Sequence, residues 1–245
     1  AANGPANPNY TRSWAWTIEP TQHTGLLMSY EFNDMISASA GIANTLTSGI
    51  NARAHYPYSY PDKAESQKTY MGSLAITAPE DSGWAAGSTL YGGAVYGYDG
   101  GLGGNRAHYY AGLTMTTPIE ALAFGVAFDY ASSGGQQQTG TANQIADYWA
   151  WAVGVYASYQ VTEKMGIHAR GEYYNESGSP SAPIGISSIW SVTGTLQYDL
   201  WSNVLARLEV RWDQGSPASF GGRPYSGNPD ANNAWLVAAN AVYMF

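Results

Sequence analysis

Asn203-Val204-Leu205-Ala206-Arg207-Leu208-Glu209-Val210-Arg211-Trp212-Asp213 is the stretch that decides the fold. Val204, Ala206, Leu208, Val210 and Trp212 take every second position. Asn203, Leu205, Arg207, Glu209, Arg211 and Asp213 fill the places between. Successive side chains of an extended strand point to opposite faces, so this segment has one face suited to lipid and one that is not. The same separation recurs at Met165, Ile167, Ala169, Gly171 and Tyr173 against His168, Arg170 and Glu172. It recurs again at Leu122, Phe124, Val126, Phe128 and Tyr130 against Ala121, Ala123, Gly125, Ala127 and Asp129.

From residue 22 onward, alternating segments of about ten residues are separated by turn-rich connections, which predicts strands throughout. They fall near 22–31, 35–46, 67–77, 84–98, 106–117, 121–131, 147–160, 164–175, 188–199, 203–213 and 234–245. Connections near Phe32–Asp34, Ala78–Gly83, Thr117–Glu120, Val161–Glu163 and Leu200–Ser202 are short. Those near Thr47–Ser66, Asp99–Asn105, Ser132–Ala146, Glu176–Ser187 and Gln214–Asn233 are mostly longer. Alternating short turns and long loops are what the two sides of an outer-membrane barrel require.

Composition agrees. Charged residues make up 11% of the 245, against about 25% in an average soluble domain. There are 29 Gly, 20 Tyr and 9 Trp. No apolar run is long enough for a transmembrane helix, so the fold class is all-β, a transmembrane antiparallel barrel. The absence of Cys removes disulfides and thiolate metal sites, and a net charge of −8 argues against nucleic acid as a partner. The polar, Pro-containing start, Ala1 to Asn9, shows no secretion signal.

The aromatic residues say which face meets lipid. Trp149 and Trp151 stand at one end of an apolar stripe and Tyr159 at the other. Trp190 pairs in this way with Tyr198, and Trp235 with Tyr243 and Phe245. Amphipathic rings favour the lipid–water boundary, so Trp149, Trp151, Trp190, Trp212 and Trp235 are expected in an outer girdle, with Tyr159, Tyr198, Tyr243 and Phe245 in a periplasmic one. At ~3.3 Å per residue and a tilt near ~40°, Trp190 to Tyr198 rises roughly 20 Å, close to the height of such a band.

Asn9-Tyr10-Thr11-Arg12-Ser13-Trp14-Ala15-Trp16, followed by Glu19-Pro20-Thr21-Gln22-His23-Thr24-Gly25, resembles a segment of the β-barrel porins called OmpL-like. Leu205 to Asp213 resembles the penultimate strand of that family, and Tyr243-Met244-Phe245 is similar to the aromatic ending by which outer-membrane barrels are recognised for assembly. The resemblance implies an outer-membrane general-diffusion porin and carries no catalytic residues. Lipid, small polar solutes or ions, and the barrel assembly machinery acting on the last strand are the partners expected.

The inward face then becomes the candidate site. Arg106, His108, Arg170, Glu172, Arg207, Glu209, Arg211 and Asp213 are expected to line the pore, with Arg170 and Arg207 at similar depth. They either pair into a ladder that stiffens the wall or set a transverse field that selects solutes, and both can hold. Small inward residues, Ala121, Ala123, Gly125 and Ala127 with Ser191, Thr193 and Thr195, are expected to leave room for water. The alternative is a barrel enzyme or adhesin scaffold with a plugged lumen. No Gly-x-Ser-x-Gly elbow or His-Glu-x-x-His helix is present, and His23, His55, His108 and His168 are read as solvated or lumen-facing. Gly100, Gly101, Gly103 and Gly104 lack the Lys and Ser/Thr of a phosphate loop. Asn228, Asp230, Asn232 and Asn233 match no calcium loop, so neither metal nor cofactor is expected.

Residues 22–245 are thus assigned to the wall, and 1–21 to an extracellular segment or one additional strand over Tyr10 to Glu19. Strand parity separates these. An odd count would pair the first and last strands in parallel, so about eleven strands need an odd number more. Tyr10–Glu19 would complete twelve. The resemblance instead favours the C-terminal part of a larger barrel with further strands elsewhere.

Overall fold

A computed structural model of the chain describes residues 6–52, 67–99, 104–134, 147–178, 182–216, 220 and 231–244. They form one antiparallel sheet in strict chain order: β1 (Gly25–Asn33), β2 (Ile36–Ala43), β3 (Thr69–Thr77), β4 (Thr89–Asp99), β5 (Gly104–Thr116), β6 (Leu122–Gly134), β7 (Tyr148–Thr162), β8 (Met165–Glu176), β9 (Ser188–Trp201), β10 (Val204–Ser216) and β11 (Asn233–Tyr243). His55, Gly100, Gly101, Gly103, Asn228, Asp230 and Phe245 lie outside the described residues.

Side-chain chemistry closes the short turns. Asn33 Oδ1 accepts the amides of Met35 and Ile36, both at 2.9 Å, and Thr162 Oγ1 accepts those of Lys164 and Met165. Such local bonds satisfy backbone donors that the ladder leaves over. The expected strand start at residue 84 is corrected to Thr89. Gly83 (φ 62°) and Gly87 (φ 73°) turn the chain, and Gly83–Ala85 is a 3-10 turn.

On β10, Arg207, Glu209, Arg211 and Asp213 are buried while Leu208 and Val210 are exposed. A soluble core has the reverse pattern. The outer face carries contiguous rings. Trp151 lies 5.3 Å from Tyr173, Tyr173 lies 4.5 Å from Trp190, and Trp212 lies 6.3 Å from Trp235, centroid to centroid. Trp149, Trp190 and Trp235 are exposed at one end of this face, as are Tyr159, Tyr198 and Tyr243 near the other, while Trp151 and Trp212 are half-buried by their neighbours.

The alternative of a strand over Tyr10–Glu19 is corrected. That stretch contains a 3-10 turn at Ala15–Thr17, and its polar backbone groups bond to side chains of β8 and β10 instead of a neighbouring strand. Among the described residues β1 pairs only with β2 and β11 only with β10. All nine β1 residues are exposed. Both edges are therefore open among the described residues, and with eleven antiparallel strands described there they run in the same direction.

Leu208 sits mid-strand on the exposed face. Leu208→Arg is expected to cost about 2–4 kcal/mol of folding free energy in lipid, the cost of a cation on the lipid face of a barrel near the midplane. Urea titration in liposomes measures it, and a cost near zero contradicts a lipid-facing position.

Candidate functional site: a segment bonded across the inner face

Residues 7–20 run across the buried face of the sheet. One segment touches β5, β7, β8, β9 and β10 on the same side, so that face is concave around it. Asn9 Nδ2 donates to Thr195 Oγ1 at 2.8 Å. The Glu209 carboxylate accepts the amides of Tyr10 (2.6 Å) and Thr11 (3.0 Å) and the Thr195 hydroxyl. Glu172 accepts the Trp14 amide at 2.8 Å, and Asp213 accepts the Trp14 indole N–H at 2.8 Å.

Arginines take the carbonyls. Arg170 donates to Thr11 O (2.8 Å), Thr11 Oγ1, Arg12 O and Thr193 Oγ1. Arg211 donates to Arg12 O at 2.7 Å and Arg106 to Ile18 O at 2.8 Å. The segment thus gains its donors and acceptors from acid and base side chains of the wall, which meets the requirement that buried backbone groups be paired. Two cation–ring contacts add to this: Arg211 lies 5.1 Å from the Trp14 ring centroid and Arg12 lies 4.3 Å from that of Trp16.

The charges also pair among themselves. Arg170 Nε lies 2.7 Å from Glu172 Oε2, Arg211 Nε 2.9 Å from Asp213 Oδ2, and His108 Nε2 3.0 Å from Asp129 Oδ1. Arg106 is 3.8 Å from Asp99, and Arg207 Nε donates to Gln197 Oε1. Cross-strand register joins Arg170 to Thr193 and Thr193 to Arg211, whereas Arg207 faces Gln197. Counting from the turns does not predict which arginines become cross-strand neighbours, because barrel strands are staggered.

An apolar cluster anchors the far end of the segment. Ala15 and Ile18 pack with Ala131, Ala150, Ala152, Tyr174 and Ile189, bordered by Trp14, Ile184 and Ile186. Glu176 holds the adjoining connection by accepting the amides of Ile184 and Ile186 and the Tyr174 hydroxyl.

On β9, the reading that small residues leave room for water is corrected. Ser191, Thr193 and Thr195 are almost fully buried, and their small size admits the segment. Ala123, Gly125 and Ala127 on β6 do border open space. With Tyr110, Tyr156, Ser158, Asp129, Arg12 and Glu19 they line a cleft of about 790 Å³ beside the segment. His23, just before β1, is half-buried, which lowers its pKa by desolvation and favours its neutral form.

Sequence reasoning brought out the charged positions of the wall but missed Asn9, Tyr10, Thr11, Arg12 and Trp14, which complete the site. The available signal was Pro8 and Pro20 bracketing an Arg- and Trp-bearing stretch opposite an inner face rich in both acids and arginines.

The family described as "Putative beta-barrel porin-2, OmpL-like" matches residues 1–245. No curated protein matches the sequence. Among solved structures, an anion-selective porin from Comamonas acidovorans is 14% identical with a TM-score of 0.56, covering 88% of this chain and 59% of that one. The outer membrane protein OmpT of Vibrio cholerae is 14% identical with a TM-score of 0.59, covering 98% and 71%. The outer membrane channel DcaP of Acinetobacter baumannii is 9% identical with a TM-score of 0.59, covering 98% and 68%. These likenesses are of fold: an antiparallel porin-type barrel wall.

Glu209→Ala removes the acceptor shared by the Tyr10 and Thr11 amides, and an abandoned buried donor costs about 1–3 kcal/mol. Hydrogen exchange at those two amides is expected to accelerate by about fivefold or more. Unchanged protection contradicts the assignment.

Proposed function

This chain belongs to the beta-barrel porin-2, OmpL-like family of the bacterial outer membrane, and we propose that it walls a water-filled passage for passive diffusion of ions and small polar solutes, narrowed from within by residues 7–20. The observation that carries this reading is the pairing of a lipid-compatible outer face with an inner face whose charges hold a polypeptide segment beside an open cleft. Arg106, Arg170, Glu172, Glu209, Arg211 and Asp213 fasten the segment, and together with His108 and Arg207 they line the passage and shape its field. Trp149, Trp151, Trp190, Trp212 and Trp235 form the girdle toward the long connections, and Tyr159, Tyr198 and Tyr243 the girdle toward the short turns.

The open edges bear on assembly. An unpaired strand edge is not tolerated in lipid, and direct pairing of β1 with β11 would create a parallel seam. An odd number of further strands between these edges completes an antiparallel wall. A second copy in the same orientation offers only parallel edges, so it does not satisfy this requirement.

We read the chain as a conduit rather than a catalyst. The pair best placed for nucleophilic chemistry is Ser158 and His168, with Oγ and Nδ1 2.8 Å apart. Among the described residues no carboxylate bonds the other ring nitrogen to orient it, as an activated nucleophile requires.

Single-channel recording of the full-length protein tests the reading. Replacing residues 9–18 with a Gly-Ser linker of equal length is expected to raise conductance about twofold or more, since flow rises as a hydrated constriction is removed. Unchanged conductance contradicts a narrowing role. Changing both Arg207 and Arg211 to Glu is expected to raise cation preference, most strongly at low salt where screening is weak. Equal reversal potentials for the variant and the parent protein would show that these side chains do not act on the passage.

A further inference from the structure

Three inward tyrosines share a geometry that the fastening of the segment does not use. Tyr91, Tyr110 and Tyr156 each have a glycine two residues away on the same strand face: Gly93, Gly112 and Gly154. Each also faces a glycine on a neighbouring strand, Tyr91 across from Gly112, Tyr110 from Gly93 and Tyr156 from Gly125. At Tyr110 and Tyr156 the glycines let the ring lie along the wall. A Cβ at Gly112 would overlap the Tyr110 hydroxyl and ring edge, and one at Gly154 would meet the Tyr156 hydroxyl at 2.7 Å and its ring at 3.0 Å.

Register brings two of these rings onto one row. Gly112 pairs with Ala127 and Ala127 with Gly154, so the Tyr110 and Tyr156 rings rest on positions two strands apart with a small residue between them. Two strand spacings are about 10 Å. Tyr91 extends the row on β4, opposite Gly112. Tyr110 and Tyr156 border the cleft beside the segment, and Tyr91 and Tyr110 border an adjoining one of about 560 Å³.

The polar groups at the rim of the larger cleft are mixed. Arg12 carries donors, Glu19 acceptors, and Ser13 and Ser158 both, whereas Asp129 is almost fully buried beside His108. A simple anion calls for donors alone and a simple cation for acceptors alone. A polyhydroxylated solute with apolar C–H faces calls for ring faces together with both kinds of hydrogen-bonding group. The volume lies within the range of small-molecule sites.

We propose that Tyr110 and Tyr156, packed against glycines of the inner wall, form with Tyr91 on the adjoining strand a binding platform for neutral saccharides of about disaccharide size. This deepens the diffusion reading and rests on it: the platform slows and selects solutes within the passage. The purely architectural account of these pairs, rings covering strand glycines to stabilise the sheet, predicts no ligand.

The test is calorimetric titration of the full-length protein, folded in detergent micelles, with maltose as probe and succinate and glycine betaine as charged controls. Saturable maltose binding is expected, weakened about tenfold or more by Tyr110→Ala or Tyr156→Ala, the equivalent of ~1.4 kcal/mol. Tyr110→Phe and Tyr156→Phe keep the ring face and are expected to stay within about threefold of the parent protein. Far-UV circular dichroism verifies that each variant is folded. The proposal is overturned by absence of saturable maltose binding to the folded parent protein, by alanine variants that bind as the parent does, or by tighter binding of succinate or betaine. Conductance measured on the same preparations keeps the two readings apart: a parent protein that conducts but does not bind maltose refutes the platform alone, and absence of conductance in the parent protein refutes the passage.

Discussion

The Glu209 carboxylate, buried on β10, accepts two successive backbone amides, from Tyr10 and Thr11, and the Thr195 hydroxyl. A carboxylate this deep survives only when its lone pairs are filled, and a backbone segment this deep survives only when its amides are accepted. Each burial makes the other tolerable. Glu172 and Asp213 repeat the arrangement around Trp14, and Arg106, Arg170 and Arg211 provide its counterpart at the carbonyls. The charge density of the inner face and the path of residues 7–20 are therefore one feature.

This arrangement divides the interior. The wall from β8 to β10 is occupied by the segment and its ion pairs. The adjoining cleft, over β1 to β5, is lined mainly by hydroxyl and aromatic groups, Ser29, Ser37, Ser39, Ser73, Tyr91 and Tyr110, with Glu31 as its one charged residue among the described residues. On the reading of the wall as a passage, a solute would meet a concentration of fixed charge along β8 to β10 and hydroxyls and aromatic rings along β1 to β4.

Strand positions were legible in the sequence because each strand is in contact with lipid on one side and polar groups on the other, and that contrast forces a period of two. Leu208 beside Glu209 is enough to orient β10. The Thr89 start of β4 was less legible, since Trp84, Ala85 and Ala86 are apolar enough to extend the pattern, and only the positive φ of Gly83 and Gly87 breaks it. The segment at 7–20 was illegible for a different reason. Trp14, Trp16 and Ile18 alternate as a strand would, but the partners of the segment are side chains on β5 and β8 to β10, far along the chain. Alternation reports which residues share a face. It carries no information on whether a backbone group is paired by another strand or by a distant carboxylate.

The interior as described depends on residues 7–20 lying against the inner face of the wall in the membrane. Because the chain has no Cys, an engineered pair gives an unambiguous signal. Asn9→Cys combined with Thr195→Cys joins side chains that are bonded at 2.8 Å, and Ser39→Cys combined with Ser73→Cys, from cross-strand hydroxyls at 2.5 Å, provides the reference pair. On mild oxidation in outer-membrane vesicles, a disulfide is expected in both variants, read as a mobility shift reversed by reductant. A disulfide in the reference pair with none between positions 9 and 195 would contradict the account.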